Sequence, residues 1–463
     1  MRPNILFIMT DQQRYDSIGE DCPFRYPNME QLKNESLSFS NFFTSATPCV
    51  PSRACFLMGR NAWDMNICSN SRFMQDDSQT GPLEKSWMQI LREEGYICVS
   101  VGKTHEVHAG SFHIPVPLGN TFGDYMPAWN FFQLEKSPEN EENVFDIYTA
   151  RRTCDALNRL ITTRQNEPNK HHPEPFAMFV GFHSPHPPHI LPEKYLSFCR
   201  PDNVELPKNR SLDEYNSKSN TYRQRMDFFK KIHGDKFTDD DHIRKGMAAY
   251  YCALKMLDDC VGMVMETMKK TGLLDNTIVV FTTDHGELLG DHYQFGKNIT
   301  TYESEIHIPF FIRFPDKRKA GQTAPQLACS IDFMPTILDL MEIKPDLPLP
   351  GFSLVPAINE GREVRDNVLV WHLSSSLTIR TNNAKLVYSP ENNDGELYNM
   401  TEDPQEMNNL WNKSGYESLK NEMLIRMLQS RLLNDKRSSA LTRREQLLFK
   451  EIYLSKEPEV GGA

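Results

Sequence analysis

The chain has 463 residues, enough for one large domain and a smaller one, because single hydrophobic cores stop growing near about 250–300 residues. Hydrophobic residues make up 39% and charged residues 24%, which is typical of a globular protein. The formal net charge of −11 argues against nucleic acid as the main partner, although a local cationic pocket can still bind a small anion.

The sequence carries no recognisable export or membrane segment. No apolar run reaches the roughly 18–20 residues that a bilayer span needs, so we expect no membrane partner. The apolar run at Ile5–Met9 is too short for the apolar part of a signal peptide. The 10 cysteines show no spacing typical of a disulfide framework or a zinc site. Reduced thiols agree with a cytoplasmic location, which we therefore expect.

Four short apolar runs lead directly into polar, reactive residues. The runs are Ile5–Met9, Tyr96–Val101, Phe176–Val180 and Ile278–Phe281. Continuous apolar runs of this length are typical of strands buried on both faces of a parallel sheet. Helical patterns precede the second and the fourth run, at Ser86–Glu94 and at Met247–Met268. Because strands and helices alternate, we predict an α/β fold in which helices sandwich a large mixed, mostly parallel sheet.

The residues that follow these runs are candidates for one shared site, because ligands of open α/β sheets bind beyond the carboxyl ends of the strands. The four ends supply acids, bases and cations, which are Asp11, Lys103, His105, His186, Asp284 and His285. Each residue alone also has a structural interpretation, as a surface lysine, a histidine bonded to the backbone or a helix cap. Because these residues follow four separate strands, a shared functional site is favoured over the structural interpretations.

The C-terminal part has a different pattern. Prolines before Gly351 mark a boundary, so we predict a catalytic domain over residues 1–350 and a small α+β subdomain over residues 351–463. Its predicted elements are strands at Val368–His372, Leu377–Thr381 and Lys385–Tyr388 and helices at Tyr416–Leu433 and Leu441–Tyr453. We predict that residues 200–240 form a polar, irregular surface excursion.

The segment that starts at Cys49 carries the most specific motif, Cys-Val-Pro-Ser-Arg-Ala-Cys-Phe-Leu-Met-Gly-Arg. Pro51 suits the first turn of a helix and Gly59 its end. Cys49 would then lie at a helix N-terminus, where free N–H groups and the helix dipole favour an anion. Arg53, one turn further on, can offer its guanidinium to the same sulfate or phosphate group. The alternative is a buried structural cysteine near the start of a helix.

This segment resembles the Cys-x-Pro-Ser-Arg motif of the type I sulfatases, which belong to the alkaline phosphatase superfamily. Leu57 and Gly59 also agree with that motif. The resemblance implies that a formylglycine-generating maturation enzyme oxidises Cys49 to formylglycine, directed by Pro51 and Arg53. It also implies that the hydrated formylglycine attacks the sulfur of a sulfate ester.

The resemblance further implies a metal site. Asp11, Gln12, Asp284 and His285 would hold one Ca²⁺ per subunit together with the modified Cys49. Oxygen ligands suit a hard cation, and the histidine nitrogen leaves Mn²⁺ or Mg²⁺ open. Gln12 departs from the pattern, because many members carry a second aspartate there. Some relatives that act on choline sulfate or phosphonate esters also have an amide at this position.

Six residues receive catalytic roles from the resemblance, which are Cys49, Arg53, Lys103, His105, His186 and Lys297. Arg53 and the two lysines would neutralise the sulfate oxygens. His186 would donate a proton to the leaving oxygen, and His105 would act as a general base when sulfate is expelled. His183, His189 and His292 would either contact the substrate or line the cleft.

The implied activity is that of a sulfuric ester hydrolase. Its small anionic substrate would be the sulfate monoester of a carbohydrate, or an aryl sulfate. Thr104 replaces a tryptophan that is common in the family, and together with Gln12 it leaves a phosphonate monoester or phosphodiester hydrolase open. A third alternative is an inactive member that binds sulfated glycans.

Overall fold

The computed structural model describes residues 2–70, 85–104, 114–116, 134–166, 174–297, 301–345, 348–372 and 376–438. The strands are β1 (Asn4–Asp11), β2 (Leu37–Phe39), β3 (Phe42–Phe43), β4 (Ala46–Thr47), β5 (Ile97–Gly102), β6 (Ile114–Val116), β7 (Leu134–Lys136), β8 (Phe176–Pro185), β9 (His189–Leu191), β10 (Thr277–Thr283), β11 (Phe310–Arg313), β12 (Thr323–Ala324), β13 (Ala328–Cys329), β14 (Val368–His372), β15 (Ser376–Arg380), β16 (Ala384–Ser389) and β17 (Asp394–Asn399). The helices are α1 (Pro27–Asn34), α2 (Cys49–Met58), α3 (Trp87–Glu93), α4 (Phe145–Asn166), α5 (Glu193–Leu196), α6 (Asn220–His233), α7 (Asp240–Lys270), α8 (Glu303–Ile306), α9 (Phe333–Leu340), α10 (Val355–Glu360) and α11 (Glu417–Ser438).

An eight-stranded mixed sheet forms the centre of the fold, in the order β12-β2-β11-β10-β1-β8-β5-β6. Strands β10, β1, β8 and β5 are neighbours and run parallel to one another. Strand β11 runs antiparallel to both of its neighbours, β10 and β2. The four parallel strands are the four apolar runs of the sequence. The predicted α/β class, with a large and mostly parallel sheet, is therefore confirmed.

Alternating side chains of β1 fill two separate hydrophobic cores, one on each face of the sheet. Leu6 and Ile8 belong to the core that includes Leu254 of α7. Phe7 belongs to the other core, which includes Phe56 of α2. A strand that is buried on both faces must be apolar at every position, which explains the unbroken apolar run.

The predicted helix boundaries agree with the observed ones to within a few residues, except at the start of α7. Helix α2 ends at Gly59, whose φ of +60° lies in the left-handed region that glycine tolerates best. Helix α3 starts after Ser86, which forms a capping box with Gln89. Helix α7 starts at Asp240, about two turns before the predicted start. Across the described ranges, no helix is long and apolar enough to cross a membrane.

The prediction of an irregular excursion over residues 200–240 is wrong. This region contains the 14-residue helix α6, which buries Tyr222, Met226 and Phe229 against the core shared with α7. These three residues are spaced four and three positions apart, as one face of a helix requires. The charged residues between them hide this pattern in the sequence.

A second sheet has the order β17-β16-β15-β14-β4. The three predicted C-terminal strands are confirmed as β14, β15 and β16, and β17 was not predicted. Its fifth strand, β4, comes from the segment immediately before Cys49 and pairs with β14 through Ala46 and Thr47. Helix α11 covers this sheet, with Met423 and Met427 in a third core. The domain boundary at residue 350 stays a prediction, and the helix predicted at Leu441–Tyr453 lies outside the described residues.

Two glycines allow β5 and β8 to approach closely where Lys103 leaves the sheet. Lys103 N donates to Gly181 O over 2.8 Å. A Cβ atom at Gly181 would lie 2.0 Å from Lys103 O, and one at Gly102 would lie 2.1 Å from Gly181 O. Gly102 also has a φ of +88°. The backbone contact therefore requires glycine at both positions and sets the start of the Lys103 loop.

We expect Gly181→Ala to lower the free energy of unfolding by about 3 kcal/mol or more, because the new Cβ meets backbone atoms that cannot rotate away. Urea denaturation measures this loss. Gly272→Ala is the control, since its Cβ would meet nothing within 4 Å and only its φ of +68° is unfavourable. A loss at Gly181 no larger than at Gly272 would contradict the steric argument.

Candidate active site

Four buried side chains converge at the carboxyl ends of β1 and β10. Asp11 ends β1, Asp284 and His285 follow β10, and Cys49 is the first residue of α2. One ligand atom from each of them lies within 4.8 Å of the others, and all four residues are buried. We call these four residues the metal cluster. All of them were predicted from the sequence, and their convergence follows from the parallel pairing of β1 with β10.

Arg53 bridges the two carboxylates of the metal cluster from a fully buried position. Its Nε donates to Asp284 Oδ2 over 2.8 Å, and its Nη2 donates to Asp11 Oδ2 over 3.1 Å. Its Nη1 donates to Lys103 O over 2.7 Å, and Nη2 also reaches Thr10 O at 3.1 Å. Each of its three nitrogens therefore donates to a protein oxygen. The expectation that Arg53 also offers its guanidinium to the substrate stays a prediction.

Lys103 brings a second cation to the metal cluster. Its Nζ lies 2.6 Å from Asp11 Oδ2 and 3.4 Å from His183 Nδ1. The Lys103 side chain is 12% exposed, whereas the Arg53 side chain is fully buried. Lys103 can therefore contact both the cluster and a ligand that enters from outside.

Lys297 joins Cys49 to His186. Its Nζ lies 2.6 Å from Cys49 Sγ and 2.9 Å from His186 Nε2. His186 Nδ1 lies 2.5 Å from Pro187 O. Because a carbonyl oxygen only accepts, Nδ1 carries the proton and Nε2 keeps the lone pair that faces Lys297.

Opposite charges control the protonation of this buried site. Burial alone would raise the pKa of Asp11, but Lys103 and the other nearby cations outweigh it and hold that pKa well below its usual value. Burial and Asp11 oppose thiolate formation, yet Lys297 and His285 lower the pKa of Cys49 below that of a free thiol. Burial opposes protonation of His285, but Asp284 and the Cys49 sulfur raise its pKa to about 9. The site therefore favours the charged forms of Asp11, Cys49 and His285.

The metal cluster has the donor set that a divalent cation requires. His285 Nδ1 lies 2.8 Å from Gly286 O, so Nδ1 holds a proton and the lone pair of the neutral ring is on Nε2. This Nε2 lies 3.3 Å from Cys49 Sγ and 3.7 Å from Asp284 Oδ1. Arg53 occupies the Oδ2 atoms of both aspartates and leaves their Oδ1 atoms on the histidine side. Two carboxylates and one imidazole are compatible with a divalent cation.

Gln12, the fifth predicted ligand, has an unusual backbone for a residue with a side chain, with a φ of +65°. Its N–H donates to Asp284 Oδ1 over 3.1 Å, and its carbonyl accepts the Tyr250 hydroxyl over 3.1 Å. Its side-chain Nε2 donates to Glu287 Oε2. Metal ligation by Gln12 stays a prediction.

Two buried acids at the site were not assigned a role from the sequence. Glu287 accepts the side-chain amide of Gln12, and three N–H donors partly offset the rise of its pKa caused by burial. Asp146 accepts the backbone N–H groups of His183 and Ser184 over 2.7 and 2.8 Å, and so fixes the end of β8. Glu287 comes directly after Asp284, His285 and Gly286 in the sequence, and this position could have identified it as a candidate. Asp146 lies in α4 and meets β8 only after the chain has folded, so no local signal in the sequence marks its role.

The remaining histidines have separate environments. His105 lies outside the described residues. His189 Nε2 contacts Pro185 O at 3.1 Å, and His292 Nδ1 contacts Glu214 Oε2 at 2.8 Å. Both rings are buried. His183 contacts Lys103, and its ring lies 4.9 Å from that of His186.

Comparisons with known proteins agree with this geometry. The sulfatase family profile matches residues 3–343, and the profile of the C-terminal region of N-sulphoglucosamine sulphohydrolase matches residues 290–432. An N-acetylglucosamine-6-O-sulfatase of Bacteroides thetaiotaomicron is 27% identical over 91% of this chain and 85% of its own. A multifunctional alkaline phosphatase superfamily protein of Trinickia caryophylli is 28% identical over 78% of each chain. The phosphonate monoester hydrolase of Agrobacterium radiobacter shares the fold, with a TM-score of 0.76 and 20% identity over 94% of this chain and 96% of that one.

A cysteine at a helix start beside two carboxylates, a histidine and two lysines is compatible with a hydrolase of anionic esters. The matched profile covers most of the chain, and the chain belongs to the sulfatase family. The family places the protein in the alkaline phosphatase superfamily and accounts for the Cys49 motif.

We expect Arg53→Met to lower the free energy of unfolding of the metal-free protein by about 3–5 kcal/mol, because two buried carboxylates lose their shared partner. Urea denaturation in the presence of a chelator measures this change. Arg426→Met is the control, since the Arg426 side chain is 40% exposed, and its loss should cost less than about 1 kcal/mol. Equal losses in the two variants would refute the bridging role.

Proposed function

We propose that the protein hydrolyses the sulfate monoester of a small carbohydrate at Cys49. The observation that carries the proposal is the position of Lys297 Nζ, 2.6 Å from Cys49 Sγ and 2.9 Å from His186 Nε2. One cation thus links the nucleophile position to a histidine that can serve the leaving group. This arrangement suits an ester whose anionic head lies at Cys49 and whose leaving oxygen lies near His186.

The proposal includes conversion of Cys49 to formylglycine by a maturation enzyme. A hydrated formylglycine supplies an oxygen nucleophile and a second hydroxyl group for the later release of sulfate, which a thiol lacks. The first turn of α2 has few N–H groups left for anionic oxygens, because Pro51 has none and Ser52 N donates to Pro48 O over 3.1 Å. Val50 N is already held by Asn70 Oδ1 over 3.1 Å, which fixes the first turn of α2.

Asp11, Asp284 and His285 would hold the divalent cation, with Gln12 as a further ligand. A cation here would lower the pKa of the hydroxyl at position 49 and neutralise the sulfate oxygens. We propose Ca²⁺ and keep Mn²⁺ and Mg²⁺ as alternatives. Arg53 would act through the carboxylates, by fixing the Oδ2 atoms of both aspartates.

Lys103 and Lys297 are the cations that we assign to the sulfate group. Both side chains are only partly buried, and they approach the metal cluster through different members, Asp11 and Cys49. Two fixed ammonium groups can neutralise the charge that develops on the sulfate oxygens and the leaving oxygen.

His186 and Lys297 together would deliver the proton to the leaving oxygen. Burial and Lys297 hold the pKa of His186 well below its usual value, so its ring is neutral. Its Nε2 is therefore an acceptor, and the available proton is on Lys297 Nζ. Lys297 Nζ would give its proton to the poor alkoxide leaving group, while His186 Nε2 holds the ammonium group in place. The base role of His105 in sulfate release also remains part of the proposal.

A sulfated sugar is the favoured substrate, because a relative that covers most of the chain is an N-acetylglucosamine-6-O-sulfatase. The second candidate is a phosphonate monoester or phosphodiester. Gln12 leaves this candidate open, since some relatives that act on phosphonate esters also have an amide at this position. The fold shared with a phosphonate monoester hydrolase is compatible with both candidates.

Matured, metal-loaded protein should cleave a nitrophenyl sulfate much faster than a nitrophenyl phenylphosphonate. Cys49→Ala should lose more than about 1,000-fold in kcat, because it removes the nucleophile. Release of nitrophenol measures both reactions. Faster cleavage of the phosphonate would replace sulfate by phosphonate in the proposal, and cleavage of neither would favour an inactive binding protein.

We expect His186→Ala to slow the hydrolysis of N-acetylglucosamine 6-sulfate about 100-fold, because its alkoxide leaving group must be protonated. Hydrolysis of nitrophenyl sulfate should slow less than about tenfold, since nitrophenolate leaves without protonation. Sulfate release and nitrophenol release measure the two rates. His189→Ala is the control and should affect both substrates equally. The same loss for both substrates in His186→Ala would remove the proton-donor role.

A further inference from the structure

Glu287 connects three segments around the metal cluster. Its Oε1 accepts the N–H of Leu289 over 2.9 Å and the N–H of Gly296 over 2.5 Å. Its Oε2 accepts the side-chain Nε2 of Gln12. Glu287 is 1% exposed, so water cannot replace these partners. Gly296 directly precedes Lys297, so the same carboxylate holds the loop that carries the active-site lysine.

Hydrogen bonds fix the backbone of Gln12 at both its N–H and its carbonyl group. Its N–H is held by Asp284 and its carbonyl by Tyr250, and its φ of +65° is sparsely populated by residues other than glycine. The remaining freedom is the orientation of the side-chain amide. A carboxylate only accepts hydrogen bonds, so Glu287 selects the orientation that directs NH₂ to itself.

We propose that Glu287 is a positioning residue that makes Gln12 offer its carbonyl oxygen, and not its NH₂ group, to the bound cation. The inference rests on the metal site of the proposed function. It explains how an uncharged residue can ligate where a carboxylate would otherwise be needed. An unrestrained amide would present either end, and the NH₂ end repels a cation.

The pairing predicts a specific defect in Glu287→Gln. The new amide keeps one oxygen for the N–H groups of Leu289 and Gly296, and directs its own NH₂ at the NH₂ of Gln12. To remove this donor–donor contact, the side-chain amide of Gln12 must flip, which directs its NH₂ group at the cation. Loss of such an outer partner costs about 10–100-fold in metal affinity, so we expect Kd to rise by that factor.

An exchange of the two residues should correct the defect. Gln12→Glu alone brings two carboxylates together, which also weakens the site. In Gln12→Glu/Glu287→Gln the amide at 287 donates to the carboxylate at 12, and the second oxygen of that carboxylate faces the cation. We expect the double variant to bind metal at least as tightly as the wild type, although each single variant is weaker.

Isothermal titration of CaCl₂, and separately of MnCl₂, into chelator-stripped protein measures Kd without any turnover. Thermal unfolding in chelator records stability independently of the metal. Asp332→Asn is the matched control, because this buried carboxylate also accepts two backbone N–H groups, from Cys329 and Phe352, but contacts no member of the cluster. It should lower the melting temperature and leave Kd unchanged.

Weak single variants and a restored double variant would support the inference. If Glu287→Gln does not fold, restored folding and metal binding in the double variant would support it equally. Unchanged Kd in a folded Glu287→Gln, or additive losses in the double variant, would overturn it. Wild-type protein that binds neither cation would instead refute the metal site of the proposed function.

Discussion

The burial of two carboxylates, Asp11 and Asp284, is the constraint on which the site depends. Removing one ion from water costs several kcal/mol unless a partner compensates it. Arg53 compensates both aspartates at once, from a side chain with no solvent exposure. Lys103 reaches the same Asp11 carboxylate from the accessible side. The fold therefore holds two carboxylates and one guanidinium together in its interior, with Asp11 Oδ1 on the side of Cys49 and His285.

The topology explains how residues from distant parts of the sequence reach this point. Parallel pairing of β10, β1, β8 and β5 aligns their carboxyl ends, so that each strand contributes to one edge of the sheet. Helix α2 then places Cys49 above that edge. The glycines at 102 and 181 bring two of these strands into backbone contact, and Lys103 leaves the sheet from there. The site is precise because rigid elements position most of its members.

Most of this arrangement could be predicted from the sequence, because local signals were strong. Four apolar runs marked the parallel strands, and the motif at Cys49 marked the helix. The missed features depend on contacts between distant residues. Helix α6 buries only a few apolar residues among charged ones, and the role of Asp146 requires β8 beside α4. The contacts of Arg53 with Asp11 and Asp284 also join distant parts of the sequence, so the motif at Cys49 alone could not show them.

The pairing of β4 with β14 has a consequence for the timing of the proposed modification of Cys49. In the folded chain Cys49 is 2% exposed, which excludes a second enzyme from its thiol. Thr47, two residues before it, pairs with His372 near the other end of the chain. A ribosome that adds about 5–20 residues per second needs on the order of 15–65 s to make the intervening segment. During that interval the second sheet cannot form around β4. The order of synthesis thus leaves a period before β4 is paired, which is the interval open to the proposed conversion of Cys49.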